Sequence, residues 1–149
     1  MNQQTKPPEI QWVLTGVLAR SCRPCYHDDT PTLEGVGQWM SKVSQFGIKS
    51  ILCLLSEDEL KEYYSDNGLD LLALYRKNGF QVGHVAVPDY LEPPLRPRDF
   101  LQIRLTLSQL TAPHLIHCSA GIDRTGAAVH FVIKGNGIRR GQSSRQKGP

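Results

Sequence analysis

The apolar residues of this chain fall into two kinds of segment, short continuous runs and longer stretches with helical spacing. The run at residues 48–55 is too short for a helix and predicts a buried strand. Similar runs predict strands at residues 12–18, 80–87 and 114–117. The chain is therefore expected to contain at least four strands.

The first helix is predicted to begin after the opening strand. Thr30 followed by Pro31 is typical of a helix start, with threonine as the cap and proline in the first helical position. Apolar residues at 33, 36, 40 and 43 then repeat with helical spacing, and Gly47 is a natural end.

Four further helices are predicted along the rest of the chain. Residues 56–59, Ser-Glu-Asp-Glu, form a capping-box pattern that predicts a short helix. Helical spacing continues at residues 69–77, 100–110 and 126–134, and the prolines between 88 and 97 predict a loop. Because strands alternate with helices, we expect an α/β fold with a mostly parallel central sheet flanked by helices.

Length and composition predict one ordinary globular domain. The chain has 149 residues, of which 40% are hydrophobic and 21% are charged. Its apolar runs are too short to span a bilayer, and the polar residues 1–12 contain no recognisable secretory signal. We expect a cytoplasmic protein without stable membrane association, with its domain at residues 1–134.

The formal net charge of +3 is unevenly distributed. Residues 1–133 hold 12 basic and 14 acidic residues, whereas residues 134–149 hold five basic residues and no acid. This imbalance predicts a basic, disordered tail at residues 135–149. Short basic tails can bind nucleic acid or anionic lipid, but a solvated end is the commoner role, and no nucleic-acid partner is expected.

The four cysteines do not indicate a disulfide framework. Cys22 and Cys25 form a single Cys-x-x-Cys pair near His27, and one such pair is a weak signal for zinc or redox chemistry. The sequence therefore predicts neither a metal nor a cofactor.

Residues 117–126, His-Cys-Ser-Ala-Gly-Ile-Asp-Arg-Thr-Gly, carry the clearest chemical signal in the chain. Cys118 ends a predicted strand just before a predicted helix, where unpaired amides favour a thiolate and bind phosphate. The five residues between Cys118 and Arg124 allow several amides to converge on one anion. The planar fork of Arg124 can then bind two phosphate oxygens.

Each remaining position of this segment has an expected role. The phosphate-binding residues are predicted to be Ser119, Ala120, Gly121, Ile122, Asp123 and Arg124. Gly121 permits backbone angles that a side chain would resist. The hydroxyl of Thr125 is placed to donate to the thiolate, and His117 is either a brace for the loop or an ordinary buried histidine.

This segment resembles the phosphate-binding loop of the protein-tyrosine phosphatase superfamily. Residues 12–19 and 85–90 are similar to the small, atypical dual-specificity branch, and the likeness extends over about residues 10–134. The resemblance implies a phospho-cysteinyl intermediate on Cys118 and hydrolysis without a metal. It also implies a shallow pocket for phosphotyrosine, and for phosphoserine or phosphothreonine, in a phosphorylated protein substrate.

Asp89 is the predicted general acid. It lies between the end of a strand and the proline-rich loop, at the place that the family's acid occupies, and a carboxylic acid is the usual proton donor to such a leaving group. Its alternative role is that of a turn aspartate after Pro88. Glu92, in the same loop, is the second candidate.

Several alternatives remain open at the level of sequence. Asp123 before the arginine also occurs in relatives that act on phosphoinositides, but these usually carry a lysine where this chain has Ile122. The chain after residue 134 lacks the further helices that are usual in the family. This predicts a shortened C-terminal helical part and leaves open a non-catalytic phosphate-binding module. Cys53 is a candidate disulfide partner for an oxidised Cys118.

Overall fold

Residues 9–136 are described by a computed structural model, in which five strands form one sheet in the order β1-β2-β5-β3-β4. The strands are β1 (Gln11–Leu14), β2 (Leu18–Ser21), β3 (Ser50–Cys53), β4 (Gln81–His84) and β5 (His114–His117). β1 is antiparallel to β2, and all the other pairings are parallel. The α/β class with a mostly parallel sheet is confirmed.

Five α-helices pack on the two faces of this sheet. They are α1 (Leu33–Gln45), α2 (Glu57–Tyr63), α3 (Leu71–Lys77), α4 (Pro97–Ser108) and α5 (Asp123–Phe131). A 3-10 turn (Ser65–Asn67) follows α2, and a π-helical turn (Val132–Asn136) extends α5. None of the helices within residues 9–136 is long and apolar enough to cross a membrane.

The N-terminal elements differ in detail from their prediction. The single strand predicted at residues 12–18 is a hairpin, because the chain reverses at Gly16, whose φ of +77° suits glycine. Helix α1 begins at Leu33, since the hydroxyl of Thr32 accepts a hydrogen bond from the Gly35 amide at 3.0 Å. Thr32, and not Thr30, is therefore the cap.

Helix α5 begins at Asp123, three residues before its predicted start. The apolar pattern from Gly126 onward shows only the part of the helix that packs on the sheet, and the first turn belongs to the segment predicted to bind phosphate. The predicted basic tail at 135–149 overlaps the π-helical turn at its first two residues and otherwise lies outside the described residues.

The core consists of two clusters, one on each face of the sheet. Side chains from α1 and α3 cover one face, and side chains from α4 and α5 cover the other. Cys53 belongs to the first cluster and Cys118 to the second. Cys53 ends β3 and pairs in register with His117, so it lies on the strand next to the one that Cys118 follows. The candidate Cys53–Cys118 disulfide stays a prediction.

Burial raises the pKa of the Cys53 thiol to about 12. A fully buried thiol of this kind is a poor nucleophile for thiol exchange at neutral pH.

Candidate active site

The four parallel strands end at the same edge of the sheet, and the predicted loop lies there. Cys118 directly follows β5, is 2% exposed, and accepts a hydrogen bond from the Gly121 amide at 3.3 Å. Helix α5 has no side-chain cap, so its first amides have no capping acceptor. A nucleophilic atom and a helix N-terminus therefore meet at one point, which is the arrangement that binds an oxyanion.

Gly121 is required by both its backbone conformation and its surroundings. Its φ is +79°, and a Cβ atom there would lie 2.5 Å from the Ser21 carbonyl oxygen. The loop therefore packs directly against the end of β2, and a glycine is the residue that permits this approach.

Gly121→Ala is expected to lower the free energy of unfolding by about 1–3 kcal/mol, because the new methyl group collides with backbone atoms of β2. Gly37→Ala is the matched control, since a Cβ at this position in α1 meets nothing within 4 Å. The control should gain stability through helix propensity. Urea denaturation of both variants measures the difference, and equal stability of the two would show that the loop does not pack on β2 in this way.

Two arginines from the segment of β2 hold the loop. Arg20 donates to the Gly121 carbonyl oxygen at 2.7 Å. The Arg23 amide donates to the Ser119 carbonyl at 2.8 Å, and Arg23 Nε donates to Ser119 Oγ at 3.2 Å. Neither arginine was singled out from the sequence, because only the pairing of β2 with β5 brings them to the loop.

Arg124 lies beneath the loop and is 2% exposed. Its Nη1 and Nη2 atoms donate to the two carboxylate oxygens of Glu59, at 2.7 and 2.9 Å. Nη1 also donates to the Val87 carbonyl at 2.8 Å. The buried Nε atom has no hydrogen-bond partner within residues 9–136.

Glu59 is another residue of the site that the sequence did not reveal. Its capping box with Ser56 was predicted and is present, but this role in α2 gave no hint of a second one. Burial alone would raise the pKa of Glu59, yet hydrogen bonds from Arg124 and the Ser56 amide outweigh it and lower that pKa. Glu59 is therefore a carboxylate that fixes the orientation of the Arg124 guanidinium.

His117 is buried, and both its ring nitrogens are hydrogen-bonded. Its Nδ1 lies 2.9 Å from the Cys118 carbonyl, which can only accept, so Nδ1 carries the proton. Nε2 then accepts from the Tyr75 hydroxyl at 2.9 Å. Burial lowers the pKa of His117 to about 4, which agrees with a neutral ring that does not carry protons for the reaction.

Thr125 forms no hydrogen bond to the thiol in this structure. Its hydroxyl is fully buried and has no hydrogen-bond partner in the described part of the chain. Asp123 and Ile122 are exposed at the start of α5, and the Asp123 carboxylate forms no ion pair within residues 9–136.

A cavity of about 320 Å³ opens over the loop. It is lined by Arg23, Tyr26, Tyr63, Asp89, Tyr90, Cys118, Ser119, Ala120, Asp123 and Arg124. The structure thus brings Asp89 together with the loop, and Asp89 Oδ1 lies 3.4 Å from Arg124 Nη2. Glu92 is exposed and does not line the cavity. Of the two predicted acids, only Asp89 faces the thiol's cavity.

A comparison with protein families gives a match over part of this chain. Residues 80–142 match a model described as the tyrosine phosphatase family, a range that includes Asp89 and the whole loop. No curated protein gave a significant match to the chain. The family match supports the protein-tyrosine phosphatase superfamily and, in general terms, a phosphatase activity.

Proposed function

We propose that this chain is a cysteine-dependent phosphatase of the protein-tyrosine phosphatase superfamily, in its small, atypical dual-specificity branch. Its substrates are phosphotyrosine and also phosphoserine or phosphothreonine in proteins. The observation that carries the proposal is one cavity holding Cys118 at a helix N-terminus, a buried Arg124 with a donor left unpaired, and Asp89. The proposed catalytic domain is residues 1–134, followed by the basic segment 135–149.

The proposed reaction has two steps. The Cys118 sulfur attacks phosphorus while the bond to the leaving oxygen breaks, and Asp89 gives that oxygen its proton. A water molecule then attacks the phospho-cysteine, Asp89 takes up a proton from the water, and inorganic phosphate leaves with the thiolate restored. Arg124 and the loop amides hold the phosphoryl oxygens throughout both steps.

The residues that line the cavity favour a substrate side chain that carries an aromatic ring as well as a phosphate. Tyr26, Tyr63 and Tyr90 line it together with the loop, and Tyr90 is 95% exposed. Aromatic rings of this kind pack well against an aryl group.

The four cysteines are all free in the structure, which supports a reducing, cytoplasmic environment for the thiol chemistry.

Hydrolysis of p-nitrophenyl phosphate by the purified chain, with a metal chelator present, tests the proposed function. We expect steady release of p-nitrophenol and, on rapid acid quench, a phosphate group on Cys118 that mass spectrometry locates. Phosphotyrosine and phosphoserine peptides should both be hydrolysed, the first faster. Absence of turnover with every one of these substrates would rule out the proposed function.

Asp89→Asn is expected to lower kcat by about 100-fold for substrates with a poor leaving group, because the proton donor is lost. For p-nitrophenyl phosphate, whose leaving group needs little protonation, the loss should be several times smaller. Glu92→Gln is the matched control from the same loop and should change neither rate. Equal losses for good and poor leaving groups with Asp89→Asn would assign Asp89 a role other than general acid.

A further inference from the structure

A second guanidinium group lies in the wall of the cavity. Arg23 lines it together with Cys118 and Arg124, although it comes from the segment that follows β2. The residue is only 8% exposed. It is a buried cation next to the phosphate loop, and neither step of the proposed reaction uses it.

The orientation of this guanidinium is fixed by three contacts. Its Cζ atom lies over the ring of Tyr63, 3.8 Å from the centroid, which is a close cation–π contact. Nε donates to Ser119 Oγ, and Nη1 donates to the Tyr64 hydroxyl at 3.5 Å. Nη2 makes no hydrogen bond within residues 9–136, and it is not fully buried. Since Arg23 lines the cavity, Nη2 is the donor of this side chain that is free to meet a ligand there.

The charges of the cavity leave Arg23 without a counterion. Arg124 is paired with Glu59, whereas none of the ion pairs within the described residues involves Arg23. A largely buried charge without a partner is costly, so binding an anion next to it is favourable. Arg23 is hydrogen-bonded to Ser119, which belongs to the phosphate loop. An anion bound by Arg23 would therefore lie beside the scissile phosphate.

We propose that Arg23 binds a second anionic group of the substrate, a carboxylate or phosphate next to the scissile phosphate. The inference rests on the proposed function and narrows its substrate class to phosphopeptides with an acidic neighbour. The single positive charge of Arg23 balances one additional negative charge on the substrate. The carboxylates of Asp89 and Asp123 in the same cavity disfavour polyanionic headgroups with several phosphates, such as those of phosphoinositides.

Pairs of phosphotyrosine peptides test the role of Arg23 directly. The two members of a pair differ only in carrying Glu or Gln next to the phosphotyrosine, and the pairs place this residue on its N-terminal or its C-terminal side. The wild-type chain should show kcat/KM about 10-fold higher for the best Glu peptide, mainly through KM. In Arg23→Gln this ratio should fall to about one, and Arg23→Lys should restore part of it. A preference that survives in Arg23→Gln would overturn the proposal.

The matched control is Arg104→Gln, which removes one exposed positive charge from α4, away from the cavity. It should leave the ratio between the peptides unchanged, which separates a local contact from the general effect of net charge. Faster hydrolysis of a soluble inositol polyphosphate than of either peptide would overturn the proposal as well, because it would assign Arg23 to another class of substrate.

A binding measurement separates this inference from the proposed function. Calorimetric titration of Cys118→Ser with the same peptides reports recognition without turnover. Tighter binding of the Glu peptide, lost on adding Arg23→Gln, supports the role of Arg23 even if wild-type turnover is absent. Equal affinities for both peptides, in a chain that hydrolyses p-nitrophenyl phosphate, would refute the role of Arg23 alone.

Discussion

Replacing Cys118 with serine should remove phosphatase turnover, with a loss of about 10⁵-fold or more in kcat. A serine hydroxyl is far less acidic than a thiol, and the neighbouring His117 cannot activate it, since both its ring nitrogens are held by the Cys118 carbonyl and the Tyr75 hydroxyl. Hydrolysis of p-nitrophenyl phosphate, followed over hours at high protein concentration, measures the residual rate.

The same variant should still bind phosphate, because the loop amides and Arg124 are unchanged. Calorimetry with a phosphotyrosine peptide checks this. Cys25→Ser is the matched control, since Cys25 is a free thiol that does not line the cavity, and its turnover should stay within about threefold of wild type. If Cys118→Ser kept even a tenth of the wild-type rate, Cys118 would not be the nucleophile.

The loop could be predicted from sequence because its chemistry is local. Cys118, Gly121 and Arg124 lie within seven consecutive positions, and their strand–loop–helix context follows from apolar patterning on both sides. Asp89 was also predictable, because it follows a strand that ends at the same edge of the sheet.

The residues that the sequence did not reveal act through tertiary contacts. Glu59 has the sequence context of a helix cap, and its pairing with Arg124, 65 residues away, depends on β3 lying between β4 and β5. Arg23 has no local pattern at all.

Glu59→Gln should destabilise the fold by about 3–5 kcal/mol, the typical cost of leaving one partner of a buried ion pair uncompensated. It should also lower kcat by about 100-fold or more, because Arg124 loses the bidentate contact that orients its guanidinium. Glu62→Gln, an exposed carboxylate of the same helix, is the matched control and should change stability by less than about 0.5 kcal/mol. Urea denaturation and phosphatase kinetics measure the two effects.

A second substitution separates the structural from the chemical part of this effect. Adding Arg124→Met to Glu59→Gln removes the uncompensated charge, so the double variant should regain stability relative to Glu59→Gln alone. It should regain no activity, because the phosphate ligand is gone. Equal stability of the single and double variants would show that the pair is not a coupled buried unit.

The pH dependence of stability gives an independent check on the same pair. The pKa of Glu59 is lower in the folded protein than its ordinary value of 4.5, so the unfolded chain binds a proton more readily. The stabilisation from this group is therefore complete above about pH 4.5 and is lost as the pH falls through the lowered pKa. Wild type should lose stability more steeply than Glu59→Gln below that pH. Parallel curves for the two proteins would show that the Glu59 carboxylate is not held by Arg124 in solution.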